Sequence, residues 1–578
     1  EKEIWNLSDL NKIGRDREYP MNGNYTLMVD IDASETVNWD GGKGFKPIVL
    51  LGRFDGNGYV IQNLYINRPG EDNVGLFGRV FGEVKNVGLE NVQVVGDGEV
   101  GGLVGGNIGT ISQSYSTGSV VGYNSVGGLV GWNIGTISQS YSTGSVVGED
   151  RVGGLVGANY GTVSQSYSTG SVVGTGSYVG GLVGWNRGTV EQSYSTGSVV
   201  DTSSYVGGLV GYNVGTVEQS YSTGSVVGTS SYVGGLVGRN GGTVEQSYST
   251  GSVVGRYDYV GGLVGNNGGS VSQSYSTGSV SGHSYVGGLV GNNGGSVSQS
   301  YSTGSVASYE YLGGLVGYND EYGTVSQSYW DIETSGRSIS AGGEGKTTAQ
   351  MKQKVTYEDW DFVNVWAIEE NVSYPYLRDL GQTVQPVIVE KEIRSLSDLN
   401  KIGHDWEYPM DGHYTLMVDI DASETVNWDG GKGFKPIVLL GRFDGNGHVI
   451  RNLYINRPGE NYVGLFGRVY GEVKNVGLEN VQVVGGEDVG GLVGLNYGTV
   501  SQSYSTGSVV GSWYVGGLVG KNYYGTVTQS YSTGSVSGDD YVGGLVGYNS
   551  FSGTVEQSYS TGSVVGSDYV GGLVGNNG

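Results

Sequence analysis

The chain has 578 residues, of which 112 are glycine, 44 tyrosine, 8 proline and none cysteine, and it carries a formal charge of −25. That acidity argues against a nucleic-acid partner, which needs clustered Lys and Arg, and the missing cysteines exclude disulfides and thiolate metal sites. No apolar run reaches the roughly 18 residues of a membrane helix, so no membrane span is expected in this segment.

Residues 1–52 read as an N-terminal cap. The opening EKEIWNLSDLNKIG mixes apolar, aromatic and helix-capable stretches without a short period, which suits a segment covering the first strand edges of a repeat array. A start at Glu1, with neither methionine nor signal peptide, is what a mature product or an excised segment would show.

From 53 to 330 one phrase recurs, as in GGLVGWNIGTISQSYSTGSVVG at Gly127–Gly148. GGLVG begins at Gly101, Gly127, Gly153, Gly180, Gly207, Gly234, Gly261, Gly287 and Gly313, about 26 to 28 residues apart, inside the range of solenoid repeats. Insertions fall after the Asn of the GxN step and after SVVG, and such positions are exposed corners. The stretches between refuse insertions, as strands paired above and below must. Each coil is therefore expected to hold three strands, roughly GGLVG, TVSQSYS and SVV, with glycines such as Gly144 and Gly170 turning the last bend at positive φ. Stacked coils would queue Asn107, Asn133, Asn159 and their counterparts into an amide ladder. Tyr115, Tyr141, Tyr167 and Tyr194 would queue beside it, with Leu129, Val130, Ile137 and Val146 as apolar filling. Strict alternation cannot bury both Leu129 and Val130 on one flat strand, which leaves the inward set open.

The array gives way at 331–380 to a C-terminal cap segment with a short helix around Thr348–Lys354 and tryptophans at 360 and 366, just after Trp330. Residues 381–389 read as a linker. The opening text then returns almost verbatim, giving a second cap at 390–441 and a second β-helix at 442–578, with GGLVG at Gly490, Gly516, Gly543 and Gly571. This second array is expected to be open at its C-terminal end, the cover coming from another subunit or from a longer tandem. The predicted fold is all-β: a parallel β-helix, a three-sided β-solenoid of about 26–28 residues per coil with mixed α/β end caps, in two tandem units.

GLVG in the arrays, GLFG at Gly75–Gly78 and Gly464–Gly467, the lead-in FDGNGYVIQNLYI and the tail SYWDIETSG…GKTTAQMK…YPYL together resemble GLUG-motif repeat proteins. The resemblance implies large secreted or surface-anchored proteins of bacteria and archaea, with the repeats as stalk, adhesin or matrix. Some relatives join such repeats to a zinc peptidase; this chain has no HExxH, so that activity is not carried over.

Chemistry is sparse. Of the four histidines, His283, His404, His413 and His448, the last three stand opposite Arg15, Asn24 and Tyr59 in the other large copy, so no role common to both units depends on them. SAGGEGKTT at Ser340–Thr348 imitates a phosphate loop but lacks its first Gly and its strand–loop–helix frame. A polysaccharide lyase or hydrolase on a β-helix needs two or three acids converging, often with Lys or Arg. Here Glu191, Glu218, Glu245 and Glu556 come one per coil, the pattern of a solvated face. Asp30, Asp32 and Asp55, matched by Asp419, Asp421 and Asp444, are weak candidates for oxygen ligands to Ca2+. The plainer reading of Asp55–Gly58 is a turn ahead of the first coil. Sequons at Asn6, Asn24 and Asn371 permit glycosylation. Corner aromatics (Trp132, Trp185, Tyr212 and Tyr318 before the Asn; Tyr178, Tyr205, Tyr232, Tyr259 and Tyr285 before GGLVG) suit stacking on sugar rings or on a neighbouring solenoid.

The repeats, together with what the resemblance implies, point to a non-enzymatic structural protein of the cell exterior, a β-solenoid rod self-associating into a homo-oligomeric fibre, sheath or surface layer. An adhesin or stalk that binds surface glycans is the alternative, and a polysaccharide-degrading β-helix comes third. No cofactor is expected.

Overall fold

The computed structural model describes the chain apart from residues 1, 203, 381–389, 404–407, 409, 411, 440, 524 and 551–552; the expected linker and His404 therefore lie outside the described residues. The chain divides into two compact units, Glu1–Val387 and Ile388–Gly578.

Both units are parallel β-solenoids. In one coil of unit 1 the strands Val130–Asn133, Thr136–Ser138, Tyr141–Ser142, Ser145–Gly148 and Asp150–Gly153 follow one another. Each pairs in parallel with its own counterpart one repeat later: Val130 with Val156, Thr136 with Thr162, Tyr141 with Tyr167, Val146 with Val172 and Val152 with Val179. Identical text at a fixed period makes like-on-like the register that keeps Val130, Ile137, Val146 and Val152 buried with their copies in line, and a one-residue slip would turn that inward set out. Three sides result. One is a 13-stranded sheet containing the Thr-Val-Ser strands, and another is an 11-stranded sheet of Val-Gly-x-Asn strands. The third carries the Tyr-Ser, Ser-Val-Val and x-Val-Gly strands. Unit 2 repeats the arrangement with sheets of 7, 6, 9 and 4 strands.

The strand assignment within a coil differs from the expectation in two places. GGLVG is not one strand: a strand ends at Gly127, the next begins at Val130, and the chain bends at Gly128 and Leu129. That bend is why Leu129 and Val130 are both fully buried. TVSQSYS likewise breaks in two at its Gln, which takes a left-handed conformation in coil after coil, with φ of 48° at Gln113, 49° at Gln139 and 46° at Gln219. The glycines of the last bend also have another purpose. φ is positive at Gly118 and Gly507, at 115° and 117°, but Gly144 and Gly170 lie outside that region. A Cβ on Gly170 would stand 1.8 Å from the Gly144 carbonyl oxygen of the coil before. Close approach of coil to coil, not turning, excludes a side chain there.

The ladders begin within residues 1–52. Lys2–Ile4 pairs with Asn24–Leu27, which pairs with Arg53–Asp55. The helix Leu7–Lys12 buries Leu7 and Leu10 and is capped by Asn6, whose side chain accepts from the Asp9 N–H. This uses one of the unpaired donors at a helix start. In unit 2 Ser395 does the same for Leu396–Lys401.

At the far end of unit 1 the segment after the array does two things. Trp330 takes the rung after Ser302, and Glu344–Lys346 pairs with Tyr329–Asp331. The chain then runs through Thr348–Met351, a helix with a capping box between Thr347 and Gln350, and folds back along the side of the solenoid. Trp366 lies 6.1 Å from both Tyr275 and Tyr301, and Trp360 6.3 Å from Tyr301.

Candidate interaction surface

The repeated polar side chains fall into two groups, those that bind coil to coil and those that face outward. Along the interior, each Asn amide donates to the next Asn carbonyl, from Asn107 to Asn319 and from Asn496 to Asn577, at 2.6–2.9 Å. In the regular coils each also donates to the Gly carbonyl two residues on, as Asn133 does to Gly135, and where the corner carries an insertion the acceptor is three or four residues on, as in Asn522 to Gly525 and Asn319 to Gly323. A second file, of serines, links Ser140 N–H to the Ser166 hydroxyl and Ser166 N–H to that of Ser193. Apart from Asn319 and Asn577 at the ends of the ladders these groups are buried, and all are bonded, so they are structural.

On the third side the tyrosines stack as expected. Successive rings from Tyr115 to Tyr301 lie 4.8–5.0 Å apart and within 11° of parallel. A glutamine ladder that sequence reading missed runs beside them, from Gln165 to Gln327 at 3.1–3.5 Å. Its signal was present, since Gln stands at this position in every complete coil that opens with GGLVG, but only the left-handed corner brings the side chains into line. The fold-back segment covers part of this face: Gln299 donates to the Asp359 carbonyl, Gln219 to the Asp379 carboxylate, and the Trp360 indole to the Gln327 carbonyl. Tyr248, Tyr275 and Tyr301 are buried beneath it. Burial in the stack raises the phenols, Tyr194 and Tyr504 each to about 12.

The corner aromatics form a second, outward stripe. Tyr178, Tyr205, Tyr232, Tyr259, Tyr285 and Tyr311 stack 4.9–5.1 Å apart, all at positive φ. Trp185 and Tyr212 approach this file to 6.1 and 5.6 Å from Tyr178, and Tyr160 meets Trp185 edge-on at 5.5 Å. Cations rest on these rings: Arg151 lies 4.7 Å and Arg187 5.4 Å from Trp185, and Arg239 5.4 Å from Tyr212. Unit 2 builds the same stripe, with Lys521 at 4.6 Å from Tyr514 and Arg468 at 4.0 Å from Tyr462. Because the rings face one another along each file, mainly edges, hydroxyls and guanidinium groups are presented outward. A sugar ring needs a free aromatic face, which leaves Tyr311 and Tyr318, both exposed, as the better candidates in unit 1.

The six aspartates serve their own turns. Asp30 accepts the Val60 N–H, and Asp32 accepts the Ser34 N–H and the Asn63 amide. Asp55 accepts the Asn57 N–H and the Asn86 amide and is paired with Arg53 at 2.5 Å and Lys85 at 3.7 Å. In unit 2 Asp419 is held by the Val449 N–H, Arg451 and His448; these contacts keep its carboxyl below the usual range. Asp421 and Asp444 repeat the turns of Asp32 and Asp55. Among the described residues no three His, Cys, Asp or Glu are placed to share a metal ion. Asn6, Asn24 and Asn371 are exposed, with Asn6 engaged as the helix cap.

The GLUG motif matches nine times, at residues 122–147, 148–173, 175–200, 202–227, 229–254, 257–281, 282–307, 511–537 and 538–565, each match spanning about one coil. The chain is similar to halomucin of Haloquadratum walsbyi, 43% identical over 141 residues, 22% of this chain and 2% of that protein. It is also similar to a protein of Evansella cellulosilytica provisionally named a Gly-rich membrane protein, 37% identical over 131 residues, 21% of this chain and 14% of that one. The chain thus spans only a small part of either relative's length. Among solved structures, a Bacteroides ovatus protein provisionally assigned as an immunoglobulin A1 protease aligns with a TM-score of 0.23 at 20% identity, covering 65% of this chain and 91% of its own. An IgA1 protease aligns at 0.27 and 17%, covering 66% and 25%. Overlaps this loose carry no functional argument.

Proposed function

We propose that this chain, a GLUG-motif repeat protein, is a non-enzymatic structural component of the cell exterior whose solenoid units assemble into a fibre, sheath or surface layer. The observation that carries the reading is where the constant polar residues go. Asn and Ser are bound to their own copies in the next coil, and Tyr and Gln stack on theirs, so the repeated chemistry is directed at cohesion along the axis. An isolated coil cannot bury its own faces, and stability arrives with stacking. The likeness to halomucin and to a protein named for a membrane supports a surface location. Glu191, Glu218 and Glu245 stand in single file up the axis, a spacing set by the repeat and not by the acid–base pairing that glycoside cleavage needs.

The test is electron microscopy of the purified chain across a concentration series. Ordered filaments or sheets that grow with concentration are expected; well-dispersed single particles at every concentration would overturn the reading. A glycan-binding stalk is the second reading, favoured by the exposed rings of Tyr311 and Tyr318. Glycan-array binding that is lost in Tyr311→Ser and Tyr318→Ser would establish it.

A further inference from the structure

Between residues 101 and 330 the chain has four Lys or Arg side chains, Arg151, Arg187, Arg239 and Arg256, and between 490 and 578 one, Lys521. In a molecule of charge −25 their placement is selective. Arg151, Arg187, Arg239 and Lys521 all lie on rings of the outward aromatic stripe, while Arg256 lies on Tyr257 at a neighbouring corner. Arg187 and Arg239 form no ion pair among the described residues. A guanidinium stacked on indole or phenol keeps its charge uncompensated and its outer N–H groups directed to solvent.

The opposite charge stands on the adjacent side of the same coils. Glu191, Glu218 and Glu245 replace the serine of three successive Thr-Val-Ser strands and are register partners. Like charges placed directly across neighbouring strands repel one another, and these three have no ion pair among the described residues. The axial positions agree as well. Arg187 and Glu191 belong to one coil and Arg239 and Glu245 to another, so the two cations and the outer two carboxylates are separated by the same two coils, about 10 Å at one strand spacing per coil.

We infer that the aromatic–cationic stripe of unit 1 is a docking surface for a second copy of this chain, which presents its Glu191–Glu218–Glu245 file to Arg187 and Arg239. Two solenoids lying side by side without axial offset match both ends of the carboxylate file at once. The contact joins different patches on the two partners, so each copy keeps one patch free and addition continues sideways. An anionic polysaccharide would satisfy the cations too, but nothing in it would answer the file of glutamates. The inference rests on the structural reading above and names the surface that carries the assembly.

The experiment uses two full-length charge-reversed variants, Arg187→Glu with Arg239→Glu, and Glu191→Arg with Glu218→Arg and Glu245→Arg, followed by analytical ultracentrifugation and microscopy. Each variant alone sets like charge against like, and association at least about tenfold weaker than in the parent is expected. An equimolar mixture re-creates opposite charges at every contact and should recover the parent's association, which a merely misfolded variant could not do. If the parent associates and both variants associate undiminished, the docking surface is overturned while the structural reading stands. A parent that stays monomeric throughout overturns both. A monomeric parent that binds polyuronate, with binding lost only in the Arg187/Arg239 variant, overturns the inference in favour of a glycan site.

Discussion

Asn213 donates to Asn240 and accepts from Asn186, both at 2.8 Å, while also donating to the Gly215 and Thr243 carbonyls. One amide therefore ties three coils together in a dry interior. Asn213→Leu keeps the volume but leaves buried carbonyls without donors, at a cost of about 1–3 kcal/mol. A lowered denaturant midpoint for unit 1 is the expected outcome, and an unchanged midpoint would show the ladder to be incidental. Gln at the left-handed corner makes a related trade. A non-glycine residue at positive φ is strained by roughly 1–2 kcal/mol, and the ladder from Gln165 to Gln327 supplies the compensating contacts. In the entry coil the same corner is taken by Asn86, at φ 53°, a residue that tolerates this conformation more easily.

At the scale of elements, the fold-back of 347–380 is the part of unit 1 held by side chains rather than by ladders. Trp366 is fully buried against Tyr275 and Tyr301. Trp366→Ala should weaken its docking by about 3–5 kcal/mol. Amide hydrogen exchange in 347–380 should accelerate while the strands beneath stay protected; unaltered exchange would mean that the hydrogen bonds of Asp359 and Asp379 suffice alone. The cap helices, by contrast, are defined locally, each by one side-chain cap and two inward leucines, so Leu7–Lys12 and Leu396–Lys401 repeat faithfully in both units.

Over the whole molecule, the stacked phenols make stability pH-dependent on the alkaline side. A phenol titrates near 10 in an unfolded chain and at about 12 for Tyr194 and Tyr504 in the folded one. Between those values the unfolded state releases protons that the folded state retains, so this contribution is complete below about pH 10 and is lost as pH climbs toward 12. Denaturation midpoints should therefore be level up to about pH 10 and fall beyond it, with a shallower fall in Tyr194→Phe. A midpoint indifferent to pH in that window would contradict the stacking.

Much of this is legible in the sequence alone. Copies such as Asn133 and Asn159 recur at a fixed period, and when a strand's only partners are its own copies, register and ladder follow from the period alone. What the text could not show is how a coil closes. Whether GGLVG runs straight or bends at Leu129 depends on the two sheets it joins, and the bend settles which side chains face inward. The need for glycine at Gly170 is set by a carbonyl one coil away. The course of 347–380 along the tyrosines, and the seating of Arg187 and Arg239 on rings beside the Glu191–Glu245 file, join residues that are distant along the chain. Periodicity fixes what lies above and below, whereas neighbours around the circumference are decided only when the coil folds into three sides.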